Sequence, residues 1–320
     1  MASADLRAWT EAVRGADRQA VARALNLAED RRPEARRELA SLLELLGDAG
    51  GPRIGVTGPP GVGKSSLLSS LGHALRARDL SVGVVAVDPS SARTGGALLG
   101  DRARMSFDAD DRGLFVRSLA TAGEGGGLAR AAADAVQILS AGFDRTFLET
   151  TGVGQSETAV EHAVDTVLLV VQPGGGDLLQ FIKAGVMEIP DVFVVGKSDQ
   201  GAVAERTFAD LKSAIASLRA AGVALEAPVL SVSAHDGTGV DALIDALDAH
   251  AARLAPTLSE RRLRAAAARA LGELLRLHGE RGVAALGGGA SLRQRLEREL
   301  AGGLSVPAVV EATSAELTGG

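Results

Sequence analysis

The stretch Gly58-Pro-Pro-Gly61-Val62-Gly63-Lys64-Ser65 constrains this chain more than any other, because it fits G-x-x-x-x-G-K-[ST] between an apolar run at 53–57 and a helical one at 66–76. Glycines at 58, 61 and 63 let backbone N–H groups turn inward around a polyphosphate, and the following helix presents its positive end to the same anion. Lys64 then reaches the β/γ-phosphates, Ser65 is placed to ligate Mg²⁺, and Val62 and Ser66 complete the nucleotide-contacting loop. A chain with 40 glycines makes accidental Gly-rich turns commoner, but the strand, loop, helix context argues for a nucleoside triphosphate site.

Lysine usage sharpens this reading. Of 34 basic residues only Lys64, Lys183, Lys197 and Lys212 are lysine, so a lysine marks a place where a compact ammonium is wanted and a planar guanidinium is not. The formal charge of −6 argues against a dedicated nucleic-acid binder, and the absence of cysteine removes disulfides and thiolate metal sites. The first residues lack a basic-then-apolar leader and no apolar run is long enough to cross a bilayer, so a soluble cytoplasmic protein with no membrane partner is expected. With 2% aromatic residues the core must be aliphatic.

Helical spacing of Leu6, Trp9, Val13, Val21, Leu25 and Leu27, with Pro33 opening a further helix, predicts an N-terminal helical extension over 1–48. Strands are expected at 53–57, 82–88, 114–118, 145–150, 165–172, 191–196 and 228–233. Several are continuously apolar, as strands covered on both faces are, so residues 49–256 read as an α/β domain with a mainly parallel, doubly wound sheet. Residues 257–320 turn helical again, with an aliphatic stripe that either packs back on the sheet or meets another subunit, and 314–320 are expected to fray.

Three further loops follow apolar strands. Glu149-Thr-Thr-Gly152 puts a carboxylate where Mg²⁺ and its water shell would lie and a glycine where a γ-phosphate is sensed. Gly196-Lys197-Ser198-Asp199 resembles the guanine-reading [NT]-K-x-D loop: Asp199 can accept from N1–H and the 2-amino group of guanine, which adenine does not offer together. Gly196 departs from that pattern and removes a side-chain amide that normally braces the site. Ser233-Ala234-His235-Asp-Gly-Thr-Gly239 resembles the S-A-x-x-G-x-G loop whose backbone N–H supports the guanine O6.

The segments 87–105, Glu149-Thr-Thr-Gly-Val-Gly-Gln155-Ser-Glu157 and Gln172-Pro-Gly-Gly-Gly-Asp177-Leu-Leu-Gln-Phe-Ile-Lys183 resemble, over roughly residues 35–255, the MeaB/ArgK family, also called the methylmalonic aciduria type A family. The resemblance implies a P-loop GTPase using GTP/GDP and Mg²⁺. Such a protein gates cofactor loading and protects or reactivates an adenosylcobalamin-dependent acyl-CoA mutase, with an adenosyltransferase as a further partner. It also implies a homodimer formed through the C-terminal helices. By the same resemblance Asp88 and Asp101 belong to the magnesium shell and switch I, Glu149 to the Mg²⁺ and water network, Gln155 to switch II, and Asp177 and Lys183 to a third switch.

Small GTPases carry a water-orienting glutamine directly after the D-x-x-G glycine, where this chain has Val153, so intrinsic hydrolysis is expected to be slow until a partner completes the site. Lys183 is the candidate charge that moves in. A nickel-delivery GTPase would need metal ligands, yet His73, His162, His235, His250 and His278 are scattered and read as surface or packing residues. A metabolite kinase has no use for the Lys197/Asp199 loop. Asp248-Ala-His250 falls short of the cobalamin-binding D-x-H-x-x-G pattern because Arg253 takes the glycine position, so the cobalamin is expected on the partner.

Overall fold

In the computed structural model, which describes residues 3–88, 110–120, 130–150, 160–175 and 189–318, each of the seven apolar runs becomes a strand. They are β1 (Arg53–Thr57), β2 (Val82–Asp88), β3 (Leu114–Ala120), β4 (Arg145–Glu149), β5 (Thr166–Val171), β6 (Val192–Val195) and β7 (Val229–Ser231). All pair in parallel, in the order β3-β2-β4-β1-β5-β6-β7. Val56 of β1 stands level with Glu149 on one side and Leu168 on the other.

Ten α-helices are seen among the described residues: α1 (Ser3–Arg14), α2 (Arg18–Glu29), α3 (Pro33–Leu46), α4 (Lys64–Arg76), α5 (Arg130–Gly142), α6 (Ala202–Ala220), α7 (Val240–Leu254), α8 (Leu258–Ala285), α9 (Gly289–Ala301) and α10 (Val306–Thr318). The sheet is sandwiched between two helical layers, and β5 shows why its sequence is apolar throughout. Leu168 and Val170 face the core shared with α4 and α7, whereas Val167, Leu169 and Val171 face the opposite side. Each such side chain contributes about 1.5–3 kcal/mol by leaving water.

The N-terminal helices join that second layer. Trp9, Val21, Leu25, Leu39 and Leu42 share one core with α5 and with Val85 and Leu148 of the sheet. Asp17 caps α2 by accepting from Ala20 N at 2.8 Å, and Trp9 Nε1 donates to Ala20 O at 3.0 Å beneath the Arg23 guanidinium, 3.9 Å from the ring centre. Pro33 opens α3, as its fixed φ favours.

The C-terminal helices bury a core of their own, including Ala267, Leu274, Leu292, Leu296 and Val309, and α10 returns to α3. Residues 314–318, expected to fray, are helical: α10 continues to Thr318, with His278 Nε2 at 2.9 Å from Ser314 Oγ and Arg295 paired to Glu316, while 319–320 lie outside the described residues. Helix α8 bends at Gly279, where φ is 66°. Among the described residues, no helix is long and apolar enough to cross a membrane.

At the amino end of β1 and β5 a buried ionic node ties this helical region to the sheet. Arg262 of α8 donates to both oxygens of Asp165, at 2.8 and 2.6 Å, to Gly51 O at 3.2 Å, and to Asp48 O. Asp165 also accepts from the backbone N–H of Arg53 at 3.0 Å.

Candidate nucleotide site

The sheet order puts β1 at the centre, leading through α4 to β2 on one side while β5 leads to β6 on the other. Open α/β sheets bind ligands at the carboxyl ends of strands where connections part in this way. The loop leaving β1 passes so close to β5 that a Cβ on Gly58 would lie 2.3 Å from Val170 O, and Gly63 holds φ at 102° before α4 begins. No side chain fits the first position, and the second is a backbone state that L-residues rarely adopt.

Lys64 opens α4 and is only 6% exposed. Its ammonium donates to Gly58 O at 2.8 Å and Pro59 O at 3.1 Å, which holds the charge over the loop's mouth. Ser65 Oγ donates to Glu149 Oε1 at 2.7 Å, so two residues 84 positions apart meet. Glu149 is 4% exposed, and the next residue fastens its loop to β1 through Thr150 N to Val56 O and Thr150 Oγ1 to Thr57 Oγ1, both 3.1 Å. A hydroxyl beside a carboxylate is an oxygen-only donor pair that suits Mg²⁺.

On the other flank, a cleft of about 320 Å³ is lined by Val62, Ser66, Gly196, Lys197, Asp199 and Ala234, among others. Lys197 sits in the left-handed region, φ 53° and ψ 45°, and its Nζ donates to Gly61 O at 3.1 Å. Ser233 lies behind the cleft, its Oγ donating to Asp199 Oδ1 at 2.9 Å and accepting the His235 and Asp236 backbone N–H groups at 3.3 Å. The Asp236 carboxyl is held below its ordinary range, first by the Thr238 backbone N–H, which fixes this turn. Two of the four lysines that the arginine bias singled out thus converge, Lys64 and Lys197 both gripping carbonyls of the P-loop, while Lys212 lies over the Phe208 ring.

His235 is exposed, in keeping with its reading as a surface residue, and it also lines the cleft. Its place directly after Ser233-Ala234 was the available signal. His250 is a packing residue, 2.8 Å from Thr166 Oγ1 and 3.3 Å from Asp191, on the pole away from the cleft. Asp88 closes β2, with its side chain outside the described part, and Asp101, Gln155, Asp177 and Lys183 lie outside the described residues. Of the predicted site residues, the structure brings together Gly58, Gly61, Val62, Gly63, Lys64, Ser65, Ser66, Glu149, Lys197, Asp199, Ser233 and Ala234.

A P-loop, a carboxylate beside its serine and an acid-lined cleft now stand at one pole of a parallel sheet. The family model described as "Methylmalonyl Co-A mutase-associated GTPase MeaB" matches residues 21–280. The chain belongs to the MeaB family. A relative from Pyrococcus abyssi is 48% identical over 206 residues, 64% of this chain and 63% of its own length. The mouse protein named "Methylmalonic aciduria type A homolog, mitochondrial" is 37% identical over 257 residues, 75% of this chain and 61% of its own length. In both cases this MeaB-family chain spans less than two thirds of the relative. The crystal structure of a LAO/AO transport system kinase superposes with a TM-score of 0.66 at 28% identity, covering 88% of this chain and 86% of that one. That similarity bears out the α/β P-loop architecture with its helical C-terminal region.

Proposed function

We propose that this MeaB-family chain binds and hydrolyses GTP to GDP and phosphate, slowly alone and faster with a partner. In doing so it gates cofactor loading and protects or reactivates an adenosylcobalamin-dependent acyl-CoA mutase in the cytoplasm. The observation that carries the reading is the acid-lined cleft beside the P-loop, where Asp199 is held by Ser233 and Lys197 is fastened to Gly61. A carboxylate so placed accepts from guanine and repels the N1 lone pair of adenine. The family description, which names a methylmalonyl-CoA mutase, supports the choice of partner.

In this scheme the P-loop N–H groups and Lys64 hold the phosphates and offset the charge that develops on them. Ser65 and Glu149, with Asp88 and Asp101, would hold Mg²⁺, which supplies further neutralisation of phosphate charge. Gln155 and Lys183 are proposed to act on the attacking water and the transferred group when the partner is present. The division into 1–48, 49–256 and 257–320, dimerisation through the last part, and an adenosyltransferase as additional partner belong to the same proposal.

The test is the GTP turnover rate, with ATP as control, for the protein alone and with a panel of adenosylcobalamin-dependent acyl-CoA mutases. Slow GTP turnover that one mutase accelerates, with ATP untouched, is the expected result. Equal use of ATP, or acceleration by none, would sink the proposal.

A further inference from the structure

The base loop is tied to the P-loop by a lysine side chain. Gly196 is buried at the floor of the cleft, its N–H bonded to Val171 O at 3.0 Å, and Ser198 N reaches Val232 O at 3.1 Å. These bonds fix the base loop to its neighbouring strands and leave the P-loop out. Among the described residues, the side-chain tie between the two loops is the Lys197 ammonium on Gly61 O, a solvent-exposed contact at 3.1 Å. An exposed hydrogen bond on a long, flexible side chain gains little after its entropy is counted.

Gly196 is where a stronger tie would go. A Cβ built there meets Val170 Cγ1 at 3.4 Å, Val62 O at 3.6 Å and Val171 O at 3.8 Å, all ordinary contacts. The position therefore has room for a side chain, and one facing a P-loop carbonyl. A short amide at this depth could donate to Val62 O in a buried setting, where such a bond is worth more than on the surface. Neither steric crowding nor a left-handed backbone requires the glycine, since its φ lies outside the positive range.

We propose that Gly196 sets the residence time of the bound nucleotide. By withholding an amide from Val62 O it leaves base loop and P-loop joined through the solvent-exposed Lys197–Gly61 bond, which shortens the time GDP is held. This rests on the guanine-nucleotide reading of the site. The proposal makes Gly196 a positioning residue, acting through Lys197 and Asp199 on how long the base is held.

Stopped-flow displacement of a fluorescent GDP analogue from the full chain tests it, comparing wild type with Gly196→Asn and Gly196→Ala. Gly196→Asn should slow release by about three- to tenfold, the equivalent of one net hydrogen bond, while Gly196→Ala stays within about twofold of wild type. Unchanged or faster release in Gly196→Asn overturns the proposal, as does equal slowing by Gly196→Ala, which would assign the effect to backbone stiffening. A Gly196→Asn protein that melts well below wild type contradicts the room seen at the Cβ and overturns it too. If wild type takes up no guanine nucleotide, the site reading beneath the proposal fails; uptake with equal release rates removes the proposal alone.

Discussion

Replacing Arg262 by methionine should destabilise the protein far more than a typical ion-pair deletion. Arg262 is 7% exposed and its partner Asp165 3%, so the change leaves a buried carboxylate with the Arg53 N–H as its backbone donor and the buried Arg53 guanidinium as a cation within electrostatic reach, and strips Gly51 O and Asp48 O of a donor. Breaking a buried pair from one side costs about 3–5 kcal/mol, against about 0–1 kcal/mol for an exposed pair. Most of that cost is the carboxylate's loss of its hydrogen-bonded cation, so adding Asp165→Asn, which keeps an acceptor for Arg53 N–H, should recover at least about half of it. Urea unfolding followed by Trp9, the only tryptophan and part of the core under the sheet, reads both values. A loss below about 1 kcal/mol in Arg262→Met, or a double variant no better than the single one, would refute the account of the node as a buried and mutually dependent pair.

Asp199→Asn should weaken GDP binding by on the order of a hundredfold or more, through two lost charge-assisted bonds, and improve binding of xanthosine diphosphate, whose 2-carbonyl can accept from the new amide; calorimetry with both nucleotides decides it. Ser65→Ala removes the hydroxyl that meets Glu149 Oε1, so the gain in GTP affinity on adding Mg²⁺, measured against the same titration in chelator, should shrink sharply while Mg²⁺-free binding stays close to wild type. Burial raises the Asp134 carboxyl above its ordinary range despite the opposing pull of Arg36 at 3.3 Å and of Arg269. The folded state therefore holds this proton more tightly than the unfolded chain. Its ionisation costs stability as pH rises from about 4, so Asp134→Asn should melt higher than wild type at pH 8 and converge with it near pH 4. An advantage that is largest at pH 4 would reverse that sign.

The P-loop could be read from sequence because its glycines are demanded by backbone geometry, which a local motif records in full. The strands were equally plain, since a strand covered on both faces must be apolar at every position, as β5 is. Ser314–Thr318 misled because its composition is polar and small; what holds it helical is a histidine 36 residues earlier and an arginine 21 residues earlier, pairings no local pattern displays. The Asp165–Arg262 node was hidden for the same reason, each partner being one charged residue in a chain full of them, 97 positions apart. At Gly196 the departure itself was visible in the sequence, but the space around it was not.

All seven described strands run in one direction, so the loops of the proposed nucleotide site gather at one pole while the ionic node and the C-terminal helices occupy the other. The six-residue strand β5 alone separates the two by about 20 Å at ~3.3 Å per residue. Free-energy changes at sites so far apart ordinarily add. A variant joining a change at Asp165 to one at Asp199 therefore reads out whether this sheet is a passive frame. Simple summation of the two effects makes it one, and any shortfall or excess is energy that the strands themselves carry from one pole to the other.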